Sequence, residues 1–241
     1  MNDGSPFISV LIPVLNESDI LKSSIIKVHD YLVDRQISHE IIVVSNGSTD
    51  STQQIGLACT KEFDWVRFFH LPEKGVGSAF VLAVKEAKGD LLVSLDVDLS
   101  FDLRFIRYAI DLLQYADMVV GSKTMGRQRR SLLRVIPSQC YILLAQVLFG
   151  LTVSDYSIGC KAYRKDAILN ALPFIESWTG YVFELCLYLH FRDRRIIQVG
   201  VDCDDRRKSH FSLLHEGFHR YAHMYKCWRL MRSADSWLTA P

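Results

Sequence analysis

Two carboxylates follow an apolar run near the middle of the chain. Residues 91–95 predict a buried strand, and Asp96 and Asp98 come directly after it. Two anions at the end of a buried strand are costly unless a cation or hydrogen-bond donors compensate them. Side chains at positions i and i+2 of an extended segment point to one side, and such hard oxygen ligands suit Mg²⁺ or Mn²⁺. The pair therefore indicates a metal site, and the alternative is an acidic turn that caps the following helix.

Polar loops that end several strands are expected to surround this pair. Further strands are predicted at residues 7–13, 40–44, 66–71, 118–121 and 196–201. Helical periodicity between the early strands predicts an α/β fold, with a mostly parallel sheet covered by helices. Ligands bind such sheets at the carboxyl ends of the strands. The loops at residues 13–17, 45–50 and 96–98 fall at those ends, so we expect them to line one crevice.

The composition limits the class of protein. The chain has 241 residues, of which 49% are hydrophobic, and this suits one large domain with a substantial core. Lys and Arg number 28 against 27 Asp and Glu, so the overall charge gives no reason to expect a nucleic-acid partner. Six cysteines without a C-x-x-C pair indicate reduced core cysteines rather than a disulfide or zinc framework. The absence of an export signal favours a cytoplasmic location.

Six short segments carry a resemblance to a known family. They are residues 10–17, 40–52, 74–79, 89–99, 121–123 and 155–164. In this order and spacing they resemble inverting glycosyltransferases of the GT-A fold, in the branch of dolichol-phosphate mannose synthases and related polyprenyl-phosphate glycosyltransferases. The resemblance implies a GT-A-like, Rossmann-like domain over residues 1–241. Its nucleotide-sugar and metal half would span about 7–125, its acceptor half about 126–210, and an amphipathic C-terminal helix 211–232.

The same resemblance implies a role for each matching donor-site residue. Asp98 of the Asp-x-Asp motif would coordinate a Mg²⁺ or Mn²⁺ ion that bridges the diphosphate of a GDP- or UDP-linked sugar. Asp96 would contact the nucleotide sugar, or the metal through water. The remaining donor contacts would come from Pro13, Leu15, Glu17, Val44, Asn46 and Val97.

The acceptor implied by the resemblance is a polyprenyl or dolichyl phosphate. Such a phosphate is already an anion and can attack the anomeric carbon without a general base, so cations must gather it. The matching cations are Lys123 and Arg206, with Arg134 and Lys161 as possible helpers. In-line attack opposite the nucleotide would invert the anomeric centre.

Several positions depart from the family pattern and leave other functions open. Ser45 and Asn46 stand where the family usually has two aspartates, Lys123 and Gln139 replace arginines, and Ser212 lies in an altered last motif. One alternative is a hydroxyl acceptor on a saccharide or lipid, which would need a carboxylate base; the candidates are Asp155 and Glu184. Another is an inactive relative that binds a nucleotide sugar or a partner enzyme.

The C-terminal segment has two further interpretations. His215, Glu216 and His219 match the zinc motif H-E-x-x-H, and His223 follows one turn later. Gly217 weakens the helix there, so we interpret these histidines as a polar helix face rather than a protease site. Aromatic residues interleaved with Arg and Lys suit a membrane surface, and residues 127–153 could join them. Peripheral contact with the cytoplasmic face of a membrane, or with a membrane-anchored partner, is therefore one expectation. Packing of the helix on the domain is the other.

Overall fold

A seven-stranded sheet runs through the centre of the protein. The computed structural model describes residues 8–126, 132–203 and 213–232, without the side chains of 132–134 and 213–216. The strands are β1 Ile8–Val14, β2 His39–Asn46, β3 Val66–Leu71, β4 Leu91–Ser94, β5 Met118–Ser122, β6 Lys161–Arg164 and β7 Ile196–Gly200. The α-helices are α1 Leu21–Val33, α2 Thr52–Glu62, α3 Val76–Glu86, α4 Arg104–Leu112, α5 Leu132–Phe149, α6 Lys165–Ile168, α7 Tyr181–His190 and α8 Leu213–Met231, and a 3₁₀ helix spans Leu169–Phe174.

The strand order places β1 and β4 side by side. The order is β3-β2-β1-β4-β6-β5-β7. Parallel ladders join β1 to β2 and β4, β2 to β3, and β5 to β7, whereas β6 is antiparallel to β4 and β5. The expected mostly parallel sheet with covering helices is therefore confirmed. The carboxyl ends of β1, β2 and β4 lie at one edge of the sheet. The polar loops that follow these strands therefore lie at the same edge, as expected.

Buried residues on both faces of the sheet explain the near-continuous apolar runs of β1 and β2. Leu11 and Ile42 pack on one face, in the core formed with α3, α5, α7 and α8. Val10 and Ile41 pack on the other face, in the core formed with α1, α2 and α4. Alternating side chains of one strand thus enter two cores, which is typical of a helix-covered parallel sheet.

The second half contains a strand that the sequence did not predict. The mixture of acid, glycine and lysine in residues 155–161 is typical of a site loop, but β6 begins at Lys161 and lies between β4 and β5. Its four residues include a charged residue at each end, so neither length nor alternation distinguishes it from a loop. The strand is held by its two neighbours, with Val93 opposite Ala162 and Met118 opposite Tyr163.

Candidate active site

The two aspartates lie in a tight turn at the end of β4. Leu95 N–H donates to Leu11 O at 3.0 Å, which continues the pairing with β1. Leu99 N–H then donates to Asp96 O at 3.1 Å, and Leu99 has a left-handed φ of +47°. Asp98 Oδ1 accepts a hydrogen bond from Ser100 N–H at 3.1 Å. The backbone therefore turns between the carboxylates rather than staying extended, and hydrogen bonds within the turn fix its shape.

Asp96 is exposed to solvent, and its Oδ2 accepts a hydrogen bond from Gly159 N–H at 2.8 Å. Partial desolvation by the surrounding protein atoms raises the pKa of Asp96 above its usual value, and nearby Asp98 adds to the rise; Gly159 N–H and the cations Lys161 and Lys123 oppose it. A divalent cation bound by Asp96 and Asp98 would offset the repulsion between the two carboxylates.

The donor set suits a hard metal ion that shares its coordination with a substrate. Within the described part of the chain, no third His, Cys, Asp or Glu clusters with Asp96 and Asp98. Mg²⁺ and Mn²⁺ prefer oxygen ligands, and Mg²⁺ usually combines one or two carboxylates with water and substrate phosphates. The residues present therefore fit such an ion next to a diphosphate.

Gly159 leaves no room for a larger residue beside Asp96. A Cβ atom at this position would overlap the Asp96 carboxylate. We expect Gly159→Ala to displace that carboxylate and to weaken divalent-metal binding at least about tenfold, because a metal site depends on ligand position. Isothermal titration with Mn²⁺ and UDP measures this effect, and circular dichroism checks that the fold is retained.

Gly217→Ala is the matched control for that substitution. A Cβ atom at Gly217, in α8, would meet no described atom within 4 Å. Alanine is favoured over glycine in a helix by about 1 kcal/mol, so this variant should keep the metal affinity of the native chain and unfold at a slightly higher temperature. Equal Mn²⁺ affinity in both alanine variants would contradict the part assigned to Gly159.

Hydrogen bonds join the first two polar loops into one wall. Asn16 has a left-handed φ of +55°, and its Oδ1 accepts a bond from Thr49 N–H at 2.8 Å. Asn16 N–H donates to Ser48 Oγ at 3.0 Å, and Glu17 N–H donates to Thr52 Oγ1 at 2.9 Å. These contacts confirm that loops about thirty residues apart converge. Asn16, Ser48 and Thr49 are positioning residues that were not predicted from the sequence, although the density of Asn, Ser and Thr in these loops was the available signal.

Asn46 links β1 to the loop that precedes α3. Its Nδ2 donates to Val14 O at 2.9 Å, and its Oδ1 accepts from Gly75 N–H at 3.1 Å. An ionised aspartate could accept from Gly75 but could not donate to Val14. Both ends of this buried amide are thus bound to backbone, which explains how an asparagine serves at a position where an aspartate was expected.

The other predicted donor-site residues differ in exposure. Pro13, Leu15 and Glu17 are partly exposed along the same edge. Val44 and Val97 are buried, so their side chains face the core rather than a nucleotide. Their predicted contacts would have to come from backbone groups.

Lys123 and Asp155 form a buried pair on the acceptor side. Asp155 Oδ2 accepts from Lys123 N–H at 3.2 Å and lies 3.9 Å from Lys123 Nζ, which donates to Ser157 Oγ. Asp155 Oδ1 accepts from the backbone N–H groups of Ser157 and Ile158. Burial would raise the pKa of Asp155, but the charges of Lys123 and Lys161 and the backbone N–H groups of Ser157 and Lys123 hold it below its usual value. Asp155 is therefore a fixed anion that orders this loop.

Lys161 is enclosed by protein. Its side chain is fully buried and its Nζ donates to Ile158 O. Burial lowers the pKa of Lys161, although Asp155 and Asp96 oppose the change. Its charge thus acts on Asp96 through space. Two other predicted cations are only partly described or not described. Arg206 lies outside the described residues, and for Arg134 only the backbone is described, within α5. Ser212, of the altered last motif, also lies outside the described residues.

A family model decides the classification of the chain. The model described as glycosyl transferase family 2 matches residues 9–170, which extend from the second residue of β1 past β6 and contain the aspartate turn and the Asp155 loop. The chain belongs to glycosyl transferase family 2. The family resemblance drawn from the sequence motifs is therefore confirmed.

Curated relatives of this family 2 domain are named as glycosyltransferases or as undecaprenyl-phosphate transferases. It is 28% identical over 170 residues to glycosyltransferase AglD of Haloferax volcanii, covering 66% of this chain and 27% of that protein. It is 29% identical over 183 residues to the undecaprenyl-phosphate 4-deoxy-4-formamido-L-arabinose transferase of Salmonella choleraesuis, covering 74% of this chain and 56% of that protein. The chain thus spans only part of the length of the relatives it matches.

Solved structures share the fold of the family 2 domain. Glucosyl-3-phosphoglycerate synthase of Mycobacterium tuberculosis in complex with Mn²⁺, UDP and phosphoglyceric acid superposes with a TM-score of 0.69 at 22% identity, covering 95% of this chain and 79% of that one. Its complex with Mn²⁺, UDP and glucosyl-3-phosphoglycerate gives a TM-score of 0.67 at 23% identity, covering 95% and 80%. The GT-A-like fold expected from the sequence is confirmed.

The two candidate bases of the family 2 domain are both engaged. Asp155 is bound as described above. Glu184 Oε1 lies 3.1 Å from His223 Nε2, and its Oε2 accepts from Glu176 N–H at 2.6 Å. Burial alone would lower the pKa of His223, but its contacts with Cys227 and Glu184 raise it to about 10. Neither carboxylate is therefore poised to take a proton from an acceptor hydroxyl.

Proposed function

We propose that this domain transfers a sugar from a nucleoside diphosphate donor to a polyprenyl phosphate, with Mg²⁺ or Mn²⁺ and with inversion at the anomeric carbon. The observation that carries the proposal is the turn that places Asp96 and Asp98 directly after β4, at the edge of the sheet where β1, β2 and β4 have their carboxyl ends. Two carboxylates at this edge suit a divalent cation that is shared with a diphosphate. Relatives named as undecaprenyl-phosphate transferases support the acceptor class.

The donor half would orient the nucleotide sugar on a rigid edge. Residues 13–17 and 45–52 form the wall for the nucleotide, and Gly159 N–H holds Asp96 in place. When bound, the cation would neutralise the charge that develops on the departing nucleoside diphosphate. Asn46 would keep the loop before α3 against that wall.

The acceptor half favours an attacking group that is already an anion. An oxygen of the acceptor phosphate would form the new bond to the anomeric carbon as the bond from that carbon to the diphosphate oxygen breaks. This step needs no proton transfer, in keeping with the engagement of Asp155 and Glu184. Lys123 and Lys161 contribute positive charge on this side. Direct contact of the phosphate with Lys123, Arg134 or Arg206 is part of the proposal.

A transfer assay with three different acceptors tests the proposed function. The purified chain is supplied with GDP- and UDP-linked sugars, Mn²⁺, and one of three acceptors: undecaprenyl phosphate, undecaprenol, or phosphoglyceric acid. We expect transfer to undecaprenyl phosphate alone. Transfer to undecaprenol or to phosphoglyceric acid would favour a hydroxyl acceptor, and failure to bind any nucleotide sugar would favour the inactive relative.

We also propose that one face of α5 and α8 contacts the membrane that holds the lipid acceptor. Within the described ranges, no helix is long and apolar enough to cross a bilayer. Leu143 and Val147 share an exposed face of α5, and Phe218 and Tyr225 are exposed on α8, which packs against α5 through Tyr221 and Pro137. Exposed apolar and aromatic side chains near basic residues suit the headgroup region of an anionic bilayer.

Replacing the two apolar residues of α5 should weaken binding to vesicles. Leu143 and Val147 are 60% and 71% exposed, so Leu143→Ser with Val147→Ser should leave the fold intact. Loss of two apolar contacts with lipid should lower partition into phosphatidylglycerol vesicles about tenfold or more. Co-sedimentation measures the partition. Leu57→Ser on α2 removes a comparably exposed side chain elsewhere and serves as control; equal partition of the two variants would contradict the membrane face.

A further inference from the structure

A cluster of three potential metal ligands joins α7 and α8, apart from the aspartate pair. His223 and Cys227 lie one helical turn apart on α8, and Glu184 of α7 faces them. His223 Nε2 lies 3.1 Å from Glu184 Oε1 and 3.5 Å from Cys227 Sγ, and the three ligand atoms all lie within 4.8 Å of one another. All three residues are buried.

The two separations from His223 Nε2 are close to those of a tetrahedral zinc site. Bonds of about 2.3 Å to sulfur and about 2.0–2.2 Å to nitrogen or oxygen place neighbouring tetrahedral ligands about 3.4–3.6 Å apart. The distances from His223 Nε2 to sulfur and to the carboxylate oxygen are close to these values. Small adjustments of side chains would therefore suffice to hold an ion between them.

Without an ion, a protonated His223 can donate from Nδ1 to Glu176 and from Nε2 to Glu184. His223 Nε2 also lies 3.5 Å from Cys227 Sγ, so this one nitrogen faces both a carboxylate oxygen and a sulfur. A cation bound to all three atoms would replace the proton on Nε2 and bring the sulfur into the same set of contacts.

Glu176 supplies the outer partner that metal-bound histidines usually have. Its Oε2 lies 3.2 Å from His223 Nδ1, and its backbone N–H donates to the second oxygen of Glu184. A carboxylate at Nδ1 orients the imidazole and leaves Nε2 to the metal. His219 Nε2 also lies 3.2 Å from Glu176 Oε2, so this histidine of the H-E-x-x-H motif supports Glu176 rather than joining the three ligands. The side chains of His215 and Glu216 lie outside the described part.

We propose that Glu184, His223 and Cys227 form a second metal site, which binds Zn²⁺ and fastens the C-terminal helix α8 to α7. The mixed thiolate, imidazole and carboxylate set suits Zn²⁺ better than Mg²⁺, which prefers oxygen ligands. Binding uses the Cys227 thiolate and the unprotonated Nε2, and the displaced protons pass to solvent. With three protein ligands, a water molecule completes the tetrahedron.

The second metal site would also stabilise residues 175–180, which contact α3 near the donor-site loops. Residues 175–180 connect Glu176 to the start of α3, because Ser177 O accepts from the N–H groups of Gly77 and Ser78 at 2.9 and 3.2 Å. Gly75, directly before α3, is bound to Asn46. An ion at His223 thus anchors the segment that caps α3.

Cobalt titration of the full chain tests the second site. The chelator-treated protein is titrated with Co²⁺, whose bond to a thiolate gives a near-ultraviolet charge-transfer band and whose tetrahedral geometry gives strong visible bands. We expect one equivalent with both features, displaced by one equivalent of Zn²⁺. Asp98→Ala should keep the bands, because it alters only the aspartate site, so the second site can fail or hold independently of the proposed glycosyl transfer.

Two cysteine variants assign the sulfur ligand. Cys227→Ser should lose the charge-transfer band, whereas Cys140→Ser, on the exposed face of α5, should keep it. Native protein that gives no such band, or Cys227→Ser protein that retains it, would overturn the proposal. The native titration decides the matter even if Cys227→Ser fails to fold.

Discussion

Asp98→Ala is expected to lower the transfer rate about a thousandfold while the protein stays folded. Asp98 lies in a turn, and its described carboxylate contact is a hydrogen bond from Ser100 N–H, so the substitution removes little that holds the core together. In the proposed mechanism it removes a ligand of the ion that stabilises the leaving diphosphate, and such losses cost several powers of ten. We would measure kcat/KM, and the affinity for the nucleotide sugar with and without Mn²⁺. Together these measurements distinguish a slower transfer step from weaker donor binding.

Asp102→Ala is the control for the loss of a nearby acid. Asp102 lies four residues further along the chain, and its exposed carboxylate pairs with Arg104 at 2.6 Å. Its removal should leave both the rate and the dependence on Mn²⁺ close to native values. If Asp98→Ala shows the same metal dependence as Asp102→Ala, the aspartate pair does not hold the ion.

Asp155→Ala is expected to have the largest effect on stability. The substitution leaves Lys123 and Lys161 buried without their shared anion and removes the acceptor for the backbone amides of Ser157 and Ile158. Removing one partner of a buried ion pair typically costs about 3–5 kcal/mol. Urea unfolding followed by circular dichroism measures the change in the free energy of unfolding.

Asp166→Ala is the matched test at the surface. Asp166 pairs with Arg164 at 3.1 Å, and both side chains are exposed to solvent. Exposed ion pairs contribute about 0–1 kcal/mol, so this variant should unfold near the native midpoint. Equal losses of stability for Asp155→Ala and Asp166→Ala would show that burial of the Lys123 pair contributes little.

The donor half of the fold could be predicted because its signals are local. The apolar runs of β1 and β2 are buried on both faces, and the polar loops after them contain the Asn, Ser and Thr residues that bond one loop to the other. Strands β1 and β2 follow one another in the sequence and pair in the sheet, so the loops that end them also meet. The position of Asp96 at the end of β4 follows from the same pattern.

The acceptor half could not be predicted in the same way, because its contacts come from residues distant in sequence. Gly159 binds Asp96 across 63 positions, and Lys123 meets Asp155 across 32. Strand β6 is stabilised by its pairing with β4 and β5, and its own sequence shows no strand pattern. Lysine usually lies at the surface, so Lys161 was expected on the accessible acceptor side. The structure instead buries it completely.

Analysis of the lipid product is the decisive test of metal-dependent, inverting transfer to a polyprenyl phosphate. The chain is incubated with a nucleotide sugar, Mn²⁺ and undecaprenyl phosphate, and the extracted lipid is examined by mass spectrometry and by NMR of the anomeric proton. We expect a sugar joined through the phosphate, with an anomeric configuration opposite to that of the donor, and no product when a chelator removes Mn²⁺. A product with retained configuration, or one formed equally well in the chelator, would contradict it.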